Sequence, residues 1–292
     1  MPEKVLVTGA AGVLGSGIAR ALAPAYDVTV TDMREMTLPL PTRPADLSKG
    51  DQAREVCKGM DIIVHPAAIH PWKKYTAEQY LDWNIKATHN ILAAAAEVGV
   101  KRVVYTSSIG AMGYKANSPS ELPFDETKPC HPQEDLYGIT KHVGEQFCHL
   151  FANTKGLKYV ILRPGYFVPR EEMDSNLGLM YLNCRVHPDD VMRAHVQAVS
   201  QPGIDGHAFV ITADMPFRSE DAAALKTDPA PVVTKYFPRA EEIFRDPAFK
   251  PRQKITYYYT IEKAKRLLGW QPQMSFGQWL DLYLEWRKSQ GK

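Results

Sequence analysis

Short apolar runs alternate along the chain with longer segments in which apolar residues recur at helical spacing. This alternation is typical of an α/β protein, in which helices cover both faces of a parallel sheet. The strands are predicted at residues 5–7, 27–32, 61–65, 101–106, 159–162 and 207–212. The pattern also predicts helices at 77–97, 136–154, 186–199 and 276–286, a connecting loop at 38–44 and an irregular lobe at 229–249. We therefore expect a doubly wound parallel sheet.

A glycine-rich turn joins the first predicted strand to the helix that follows it. Gly9, Gly12 and Gly15 interrupt the apolar run, and apolar residues then continue at helical spacing. In such a turn the first glycine permits the bend, the second lets phosphates approach the backbone, and the third lets helix and strand pack closely. Backbone N–H groups and the positive helix terminus favour a diphosphate. The spacing alone also fits a plain strand-to-helix turn, but its position at the start of a βαβ pattern favours a nucleotide.

The end of the second strand indicates which nucleotide is bound. Asp32 closes this strand, 17 residues beyond Gly15. A carboxylate there accepts hydrogen bonds from the adenosine ribose and repels a 2′-phosphate, which favours NAD over NADP. Arg34 is an opposing feature, because a guanidinium can pair with that phosphate. NAD is the expected cofactor, and a plain strand end is the competing interpretation of Asp32.

Four side chains provide the candidate chemistry. Tyr137 and Lys141 lie four residues apart in a predicted helix, so they share one helix face. A cation beside a phenol stabilises the phenolate, and we expect the pKa of Tyr137 to be lowered toward neutral pH. Ser107 and Ser108 end the fourth strand, at the sheet edge where α/β proteins bind ligands. The pair alone is compatible with a solvated helix face, but its combination with the serines and the glycine turn favours an enzyme.

With these residues in place, the chain resembles the extended short-chain dehydrogenases, also called the NAD-dependent epimerase/dehydratase family. The resemblance covers nearly the whole chain. Its motifs are the glycine turn at 8–15, Asp46-Leu47, the third-strand segment at 65–68, Asn84, the serine motif at 105–108, Arg163-Pro164-Gly165, a later helix at 187–195 and the C-terminal segment at 263–272.

The resemblance implies hydride transfer at a secondary alcohol, with NAD as cofactor. Tyr137 would take the hydroxyl proton, Ser108 (Ser107 being the weaker candidate) would hold the oxygen, and Lys141 would bind the nicotinamide ribose. The implied cofactor-binding residues are Gly9, Gly12, Val13, Leu14, Gly15, Asp32, Asp46, Leu47, Ala67, Ala68, Ile69, Asn84, Tyr137, Lys141, Pro164 and Gly165. The family also suggests a homodimer that forms through the two long helices, at 77–97 and 136–154.

The substrate is indicated by a short segment of 20 residues, from Tyr166 to Arg185. Nucleotide-sugar members of the family insert a longer segment here, so its length favours a free sugar or a sugar acid, as in the similar uronate dehydrogenases. The segment at 263–272 instead resembles sugar-nucleotide epimerases, which keeps a nucleotide-sugar 4-epimerase or dehydratase as the alternative. A non-catalytic NAD-binding scaffold or redox sensor is a third hypothesis, which the intact catalytic set disfavours.

Several further side chains are candidates for contact with the substrate. The candidates are Ser108, Met112, Tyr114, Tyr166 and Arg185, with Arg170 and His187 as additional cations. Cations of this kind can pair with a carboxylate or a phosphate. For each of them, core packing or simple solvation is the competing interpretation.

The predicted elements also suggest a division of the chain. Residues 1–165 are expected to form a Rossmann domain, whose sheet is completed by residues 186–215. Residues 166–185 and 216–292 are expected to form a smaller substrate-binding lobe.

Composition excludes several classes of partner. A net charge of +2 gives no indication of nucleic acid or of a membrane surface, and no apolar stretch approaches the ~20 residues of a membrane span. The four cysteines are far apart, which predicts reduced thiols in a cytoplasmic protein. The nine histidines form no recognisable ligand set, so we expect no metal site.

Overall fold

The computed structural model describes residues 1–132, 135–167, 173, 175–245 and 254–291. Its centre is a six-stranded parallel sheet. The strands are β1 (Lys4–Thr8), β2 (Asp27–Thr31), β3 (Ile62–His65), β4 (Arg102–Thr106), β5 (Tyr159–Pro164) and β6 (His207–Ile211). They lie in the order β2-β1-β3-β4-β5-β6. The predicted doubly wound parallel sheet is confirmed.

Helices flank the sheet and form most of the C-terminal part. They are α1 (Val13–Leu22), α2 (Gly50–Cys57), α3 (Ala77–Tyr80), α4 (Ala87–Val98), α5 (Leu136–Lys155), α6 (Ser175–Leu179), α7 (Pro188–Ser200), α8 (Ala222–Thr227), α9 (Pro229–Tyr236), α10 (Ala240–Phe244) and α11 (Phe276–Ser289). The sequence analysis did not predict α2 or α8. Only three residues of α2 are buried, so its apolar pattern is weak.

Each face of the sheet buries its own apolar core, because side chains alternate along a strand. In β1, Val5 and Val7 face one core while Leu6 faces the other. Helices α1 and α7 pack on the first face, and α2, α4 and α5 pack on the second. Strands that are covered on both faces are apolar along their length, which is the pattern that identified them in the sequence.

The strand order reverses beside β1, which pairs with β2 on one side and with β3 on the other. In open α/β sheets, ligands bind at such a reversal, outside the carboxyl ends of the strands. The glycine turn follows β1 and the motif at 65–68 ends β3. The topology therefore brings both motifs to one crevice.

The prediction of an irregular lobe at residues 229–249 is wrong for the part that contains α9 and α10. Pro229 occupies the first turn of α9, where its missing N–H group costs nothing. The Asp228 side chain accepts a hydrogen bond from the Ala230 N–H at 3.3 Å and caps this helix. Prolines thus begin a helix here and do not interrupt one.

The long helix predicted at 77–97 contains a π-helical turn, Leu81–Lys86, between α3 and α4. A π-turn inserts an extra residue into the helical repeat, and such turns are frequent at functional sites. Asn84 lies within this turn. The insertion therefore changes the direction in which Asn84 points.

The C-terminal segment docks on α7 through one buried carboxylate. Asp190, which is 1% exposed, accepts hydrogen bonds from the N–H groups of Gln273 and Met274 at 3.0 and 3.1 Å. The indole of Trp270 donates to the Asp190 carbonyl oxygen at 2.9 Å. This segment therefore stabilises the fold. The predicted division of the chain into a Rossmann domain and a smaller lobe stays a prediction.

No helix in the described ranges is at once long enough and apolar enough to cross a membrane. The four cysteines all lie in those ranges, and all are free thiols.

Two buried histidines predict how stability depends on pH. Burial lowers the pKa of His65 to about 3 and that of His195 to about 4. Since an unfolded histidine binds a proton near pH ~6.5, the unfolded state gains protons first and the free energy of unfolding falls below that pH. For His195 alone, the fall between pH ~7.5 and pH ~5 is about 2 kcal/mol.

Urea titrations at several pH values measure this dependence. His195→Gln should make the decline with falling pH shallower, whereas His89→Gln, at an exposed histidine, should leave it unchanged. If the free energy of unfolding depends on pH in the same way in the wild-type protein and in both variants, the role given to buried His195 is contradicted.

Candidate active site

The glycine turn brings an uncapped helix N-terminus to the crevice. Gly9 has a φ of +63°, and a Cβ there would lie 2.8 Å from the Cα of Ala67, so glycine is required. A Cβ on Gly15 would lie 2.3 Å from the Gly9 carbonyl oxygen, so α1 packs directly against the turn. Gly12 is the N-cap of α1, which is described in full and has no acidic residue in its first turn. The N–H groups of this turn therefore suit a diphosphate.

Asp32 and Arg34 form the other end of the predicted cofactor site. The Asp32 carboxylate accepts a hydrogen bond from the Ala11 N–H at 3.0 Å and two from the Arg34 guanidinium, each at 3.2 Å. Asp32 is buried, whereas the Arg34 side chain is 59% exposed. The carboxylate is thus fixed to the glycine turn, and an exposed cation lies beside it.

The remaining residues predicted for this end lie close by. The Ala45 N–H donates to the Asp32 carbonyl oxygen at 3.1 Å, which places Asp46 and Leu47 next to β2. Leu47 is buried, and the Asp46 carboxylate accepts a hydrogen bond from the Ser48 N–H at 3.0 Å. At the start of α1, Val13 is exposed and Leu14 is buried. Their contacts with a cofactor stay predictions.

Ser108, Tyr137 and Lys141 meet beyond the carboxyl end of β4. The Ser108 Oγ accepts a hydrogen bond from the Gly110 N–H at 3.0 Å, and its side chain hydrogen-bonds the Tyr137 phenol. The Lys141 Nζ lies 5.8 Å from the centroid of the Tyr137 ring. It donates to the Thr106 carbonyl oxygen at 2.7 Å. The structure therefore brings the three predicted catalytic side chains together.

Close packing at Gly110 sets this geometry. A Cβ on Gly138 would lie 2.6 Å from the Gly110 carbonyl oxygen, so the start of α5 rests on the turn that follows β4. A Cβ on Gly110 would lie 3.1 Å from the Tyr114 hydroxyl and 3.3 Å from the Ser108 Oγ. Tyr114 therefore reaches the same cleft as Ser108, as expected for a residue that lines the site.

The pKa of Tyr137 differs from the expectation. Burial raises this pKa above its ordinary value, and the hydrogen bond from Ser108 opposes the rise. The predicted net lowering is therefore wrong for this arrangement. Burial also lowers the pKa of Lys141 to about 7, against the opposing charge of Glu145, so its ammonium is only partly charged at neutral pH. A further positive charge beside the phenol would favour its ionisation.

A buried ion pair fastens α5 to the ends of the strands. From β5, Arg163 donates to the two Glu145 carboxylate oxygens at 2.9 and 2.8 Å. The Ser107 hydroxyl donates to the same carboxylate at 2.5 Å. All three side chains are buried. Because Ser107 is engaged by Glu145, Ser108 is the serine that contacts the phenol.

Glu145 also belongs to the one group of possible metal ligands found within the described ranges. The ligand atoms of Cys130, His142 and Glu145 lie within 4.8 Å of one another. The Arg163 guanidinium already pairs with Glu145, and its Nη2 lies 3.3 Å from the Cys130 Sγ. We interpret the group as part of the ion pair.

Asn84 connects the loop after β3 to α5. Its Oδ1 accepts a hydrogen bond from the Ile69 N–H at 2.8 Å, and its Nδ2 donates to the Ile69 carbonyl oxygen at 3.1 Å and to Thr140 at 3.0 Å. Both amide N–H groups are thus used within the protein. We interpret Asn84 as a positioning residue, and its predicted contact with the cofactor stays a prediction. In the same loop, Ala67 and Ala68 are half-buried.

The predicted nicotinamide segment lies at the end of β5. Pro164 closes this strand, and a Cβ on Gly165 would lie 2.1 Å from the Cys184 carbonyl oxygen. The Tyr166 N–H donates to that same oxygen at 2.7 Å. Gly165 therefore lets the backbone at residues 165 and 166 approach that of Cys184 closely.

Two predicted substrate residues, Met112 and Arg185, are fully buried, and their contacts with a substrate stay predictions. Met112 is fully buried in the larger apolar core. Arg185 is also fully buried, and its guanidinium carbon lies 5.1 Å from the centroid of the Tyr181 ring. The backbone of Arg185 pairs with Tyr166 in a short bridge, which directs this segment inward.

Of the two additional cations, His187 and Arg170, the structure describes only His187. The His187 side chain accepts a hydrogen bond from the Asp189 N–H at 3.3 Å and caps α7, a structural role. Arg170 lies outside the described residues.

Sequence reasoning missed His70 and Trp72 as site residues. The His70 ring centroid lies 5.0 Å from that of Tyr137, and the Trp72 ring centroid lies 6.4 Å from that of His70. Their position was the available signal, because both closely follow the motif at 65–68, which ends a strand at the ligand-binding edge.

Comparison with known proteins identifies the family to which the chain belongs. A family model described as the NAD dependent epimerase/dehydratase family matches residues 5–177. The chain belongs to this family. It is an NAD-dependent enzyme of the extended short-chain dehydrogenase type.

Individual relatives include epimerases and dehydrogenases. A putative UDP-glucose 4-epimerase from Methanocaldococcus jannaschii is 25% identical, with 99% of each chain covered. Uronate dehydrogenase from Pseudomonas syringae is 28% identical over 71% of this chain and 73% of its own. A short-chain dehydrogenase/reductase superfamily protein from Agrobacterium tumefaciens, solved with bound NAD, shares the fold: its TM-score is 0.73 at 20% identity, with 99% of this chain and 98% of the other covered.

The assignment of Asp32 predicts a change in cofactor preference. Asp32→Asn keeps an acceptor for the Ala11 N–H but removes the charge that repels a 2′-phosphate. We expect about a tenfold loss of NADH affinity, since hydrogen bonds to a charged group contribute roughly 1.5–3 kcal/mol, and a smaller loss or a gain for NADPH. Fluorescence titration measures both affinities. Glu35→Gln is the matched control at an exposed carboxylate nearby, and equal losses for both cofactors in Asp32→Asn contradict the assignment.

Proposed function

We propose that the protein is a dehydrogenase that oxidises a secondary alcohol of a free sugar or a sugar acid with NAD. The observation that carries this proposal is the contact of Ser108 with Tyr137 beside the Lys141 ammonium. This set lies at the same sheet edge as the uncapped N-terminus of α1. A half-buried phenol with a hydroxyl and a cation beside it is suited to proton transfer.

The proposed roles follow from these contacts. Ser108 holds the substrate oxygen through its hydroxyl, and Tyr137 takes the proton of the alcohol. When bound, NAD would supply a hydride acceptor and a positive charge that favours ionisation of the phenol. Lys141 adds to that charge, and its pKa near 7 makes its protonation sensitive to the surroundings. Asn84 and Glu145 hold the loop and the helix that carry these groups.

The length of the segment at 166–185 supports a small substrate. Tyr166 and Arg185, at the two ends of this segment, pair directly in a short parallel bridge, and Arg185 is buried. A carboxylate on the substrate would find two exposed lysines, Lys73 and Lys74, in the loop that carries His70. These lysines are further candidate partners of a sugar acid, besides Arg185.

A nucleotide-sugar 4-epimerase or dehydratase is the second candidate, and the relative that matches over 99% of both chains favours it. The C-terminal segment gives this candidate less support than its sequence suggested. Its Trp270 and the residues after it bind Asp190 on α7. The segment is therefore explained by the fold, without a nucleotide ligand.

A spectrophotometric screen for NADH formation with L-arabinose, D-glucuronate and UDP-glucose tests the proposal. We expect NADH with at least one free sugar or sugar acid. Tyr137→Phe should lower kcat by a factor of about 100 or more, as expected for the loss of a general acid or base, and leave NADH affinity unchanged. Conversion of UDP-glucose without net NADH favours the epimerase, and undiminished turnover by Tyr137→Phe overturns the mechanism.

A homodimer is the proposed assembly, with a cytoplasmic location consistent with four free thiols. Three large apolar side chains on the two long helical segments are exposed, namely Leu81 at 51%, Ile139 at 41% and Leu150 at 47%. A dimer that forms through these helices would remove these apolar groups from water. They lie on the helices through which the family suggests pairing.

Sedimentation of the full chain tests the dimer. We expect twice the chain mass of 32.8 kDa, and a shift toward monomer in Leu150→Asp. Leu282→Asp, at a similarly exposed leucine on α11, should remain dimeric. A monomeric wild-type protein contradicts the proposal.

A further inference from the structure

Four aromatic rings form a row that leads outward from the Tyr137 phenol. The His70 ring centroid lies 5.0 Å from that of Tyr137. The ring of Trp72 stacks on His70 at 6.4 Å with the planes 25° apart, and Tyr166 meets Trp72 edge to face at 4.9 Å. We call these four residues the aromatic row. It joins the predicted proton acceptor to the outer surface.

Trp72 is the outermost large ring of the row, and it is 53% exposed. An indole that is exposed to water lacks the favourable free energy that burial of its apolar surface would provide. Large exposed apolar groups beside a cleft mark places that a ligand covers. Its position next to His70, which contacts Tyr137, makes a ligand of the same site the natural occupant.

The row is held in place from two sides. Tyr166 is fixed by its backbone, because its N–H donates to the Cys184 carbonyl oxygen at 2.7 Å and its own carbonyl oxygen accepts from the Val186 N–H at 3.0 Å. The loop that carries His70 and Trp72 is fixed by Asn84, which binds both backbone groups of Ile69. A surface that is ordered before binding loses little entropy when a ligand arrives.

The row is also uncharged at neutral pH. Burial, aided by the Lys141 ammonium, lowers the pKa of His70 to about 4, so its imidazole is neutral. Neutral aromatic faces attract the C–H groups on one face of a sugar ring, whose hydroxyl groups then point to the sides.

We propose that Trp72 is a stacking platform for the substrate sugar ring, and that this stacking determines which hydroxyl group meets Tyr137. The inference rests on the proposed function and names the face of the site that binds the carbohydrate. Ser108 and Tyr137 then recognise the reacting alcohol, while Trp72 recognises the ring.

Kinetics with the better substrate of L-arabinose and D-glucuronate test the platform. Trp72→Ala should raise the KM for the sugar about tenfold, from the loss of roughly 50 Å² of apolar contact, and leave the KM for NAD unchanged. Trp72→Phe keeps an aromatic face and should recover most of the loss. Trp286→Phe is the control at a partly exposed indole on α11, and it should match the wild-type protein.

Tryptophan fluorescence gives a second readout that does not depend on turnover. Addition of the same sugar in the presence of NADH should change the emission of the wild-type protein and of Trp286→Phe, but not that of Trp72→Phe. An active wild-type enzyme whose sugar KM is unchanged in Trp72→Ala, or whose emission change persists in Trp72→Phe, overturns this inference alone. A wild-type protein that oxidises no free sugar or sugar acid overturns the proposed function and the platform with it.

Discussion

The candidate site depends on a buried pair of opposite charges, Glu145 on α5 and Arg163 on β5. Removing two charges from water is costly, and the cost is offset only when hydrogen bonds satisfy both groups. Both Glu145 oxygens accept from Arg163, and Ser107 supplies a further donor at the end of β4. Tyr137 and Lys141 lie on the same helix, about two turns and one turn before Glu145 respectively, so this pair fixes where they point.

The sheet topology brings the other parts of the site to the same place. The strand order reverses at β1, so the glycine turn, Asp32 and the loop after β3 share one edge with the start of α5. The surroundings are dry enough to raise the pKa of Tyr137 and to lower that of Lys141. The protein alone therefore keeps the phenol protonated. Positive charge brought by the cofactor completes the electrostatic conditions for the proposed chemistry.

Most of the sheet could be predicted from the sequence, because strands buried on both faces are continuous apolar runs. The glycine turn and the spacing of Tyr137 and Lys141 could also be predicted from the sequence, since both depend on local geometry. Burial could not be predicted: nothing near Arg185 in the sequence shows that its side chain is buried. Long-range pairs such as Glu145 with Arg163 produce no periodic pattern in the sequence. Helix α9 was not predicted because the prolines at its start are typical of loops. The predicted direction of the Tyr137 pKa shift was wrong because this shift depends on burial, which the sequence does not show.

The unfolding and turnover of Glu145→Gln test most directly whether the buried pair positions α5. We expect the free energy of unfolding to fall by about 3 kcal/mol, because Arg163 loses its charged partner inside the protein. We also expect kcat to fall even where the variant is fully folded, since Tyr137 and Lys141 are no longer fixed. Glu55→Gln, which removes an exposed ion pair with Lys58, should change neither quantity. A Glu145→Gln variant with wild-type unfolding and wild-type kcat would contradict the account.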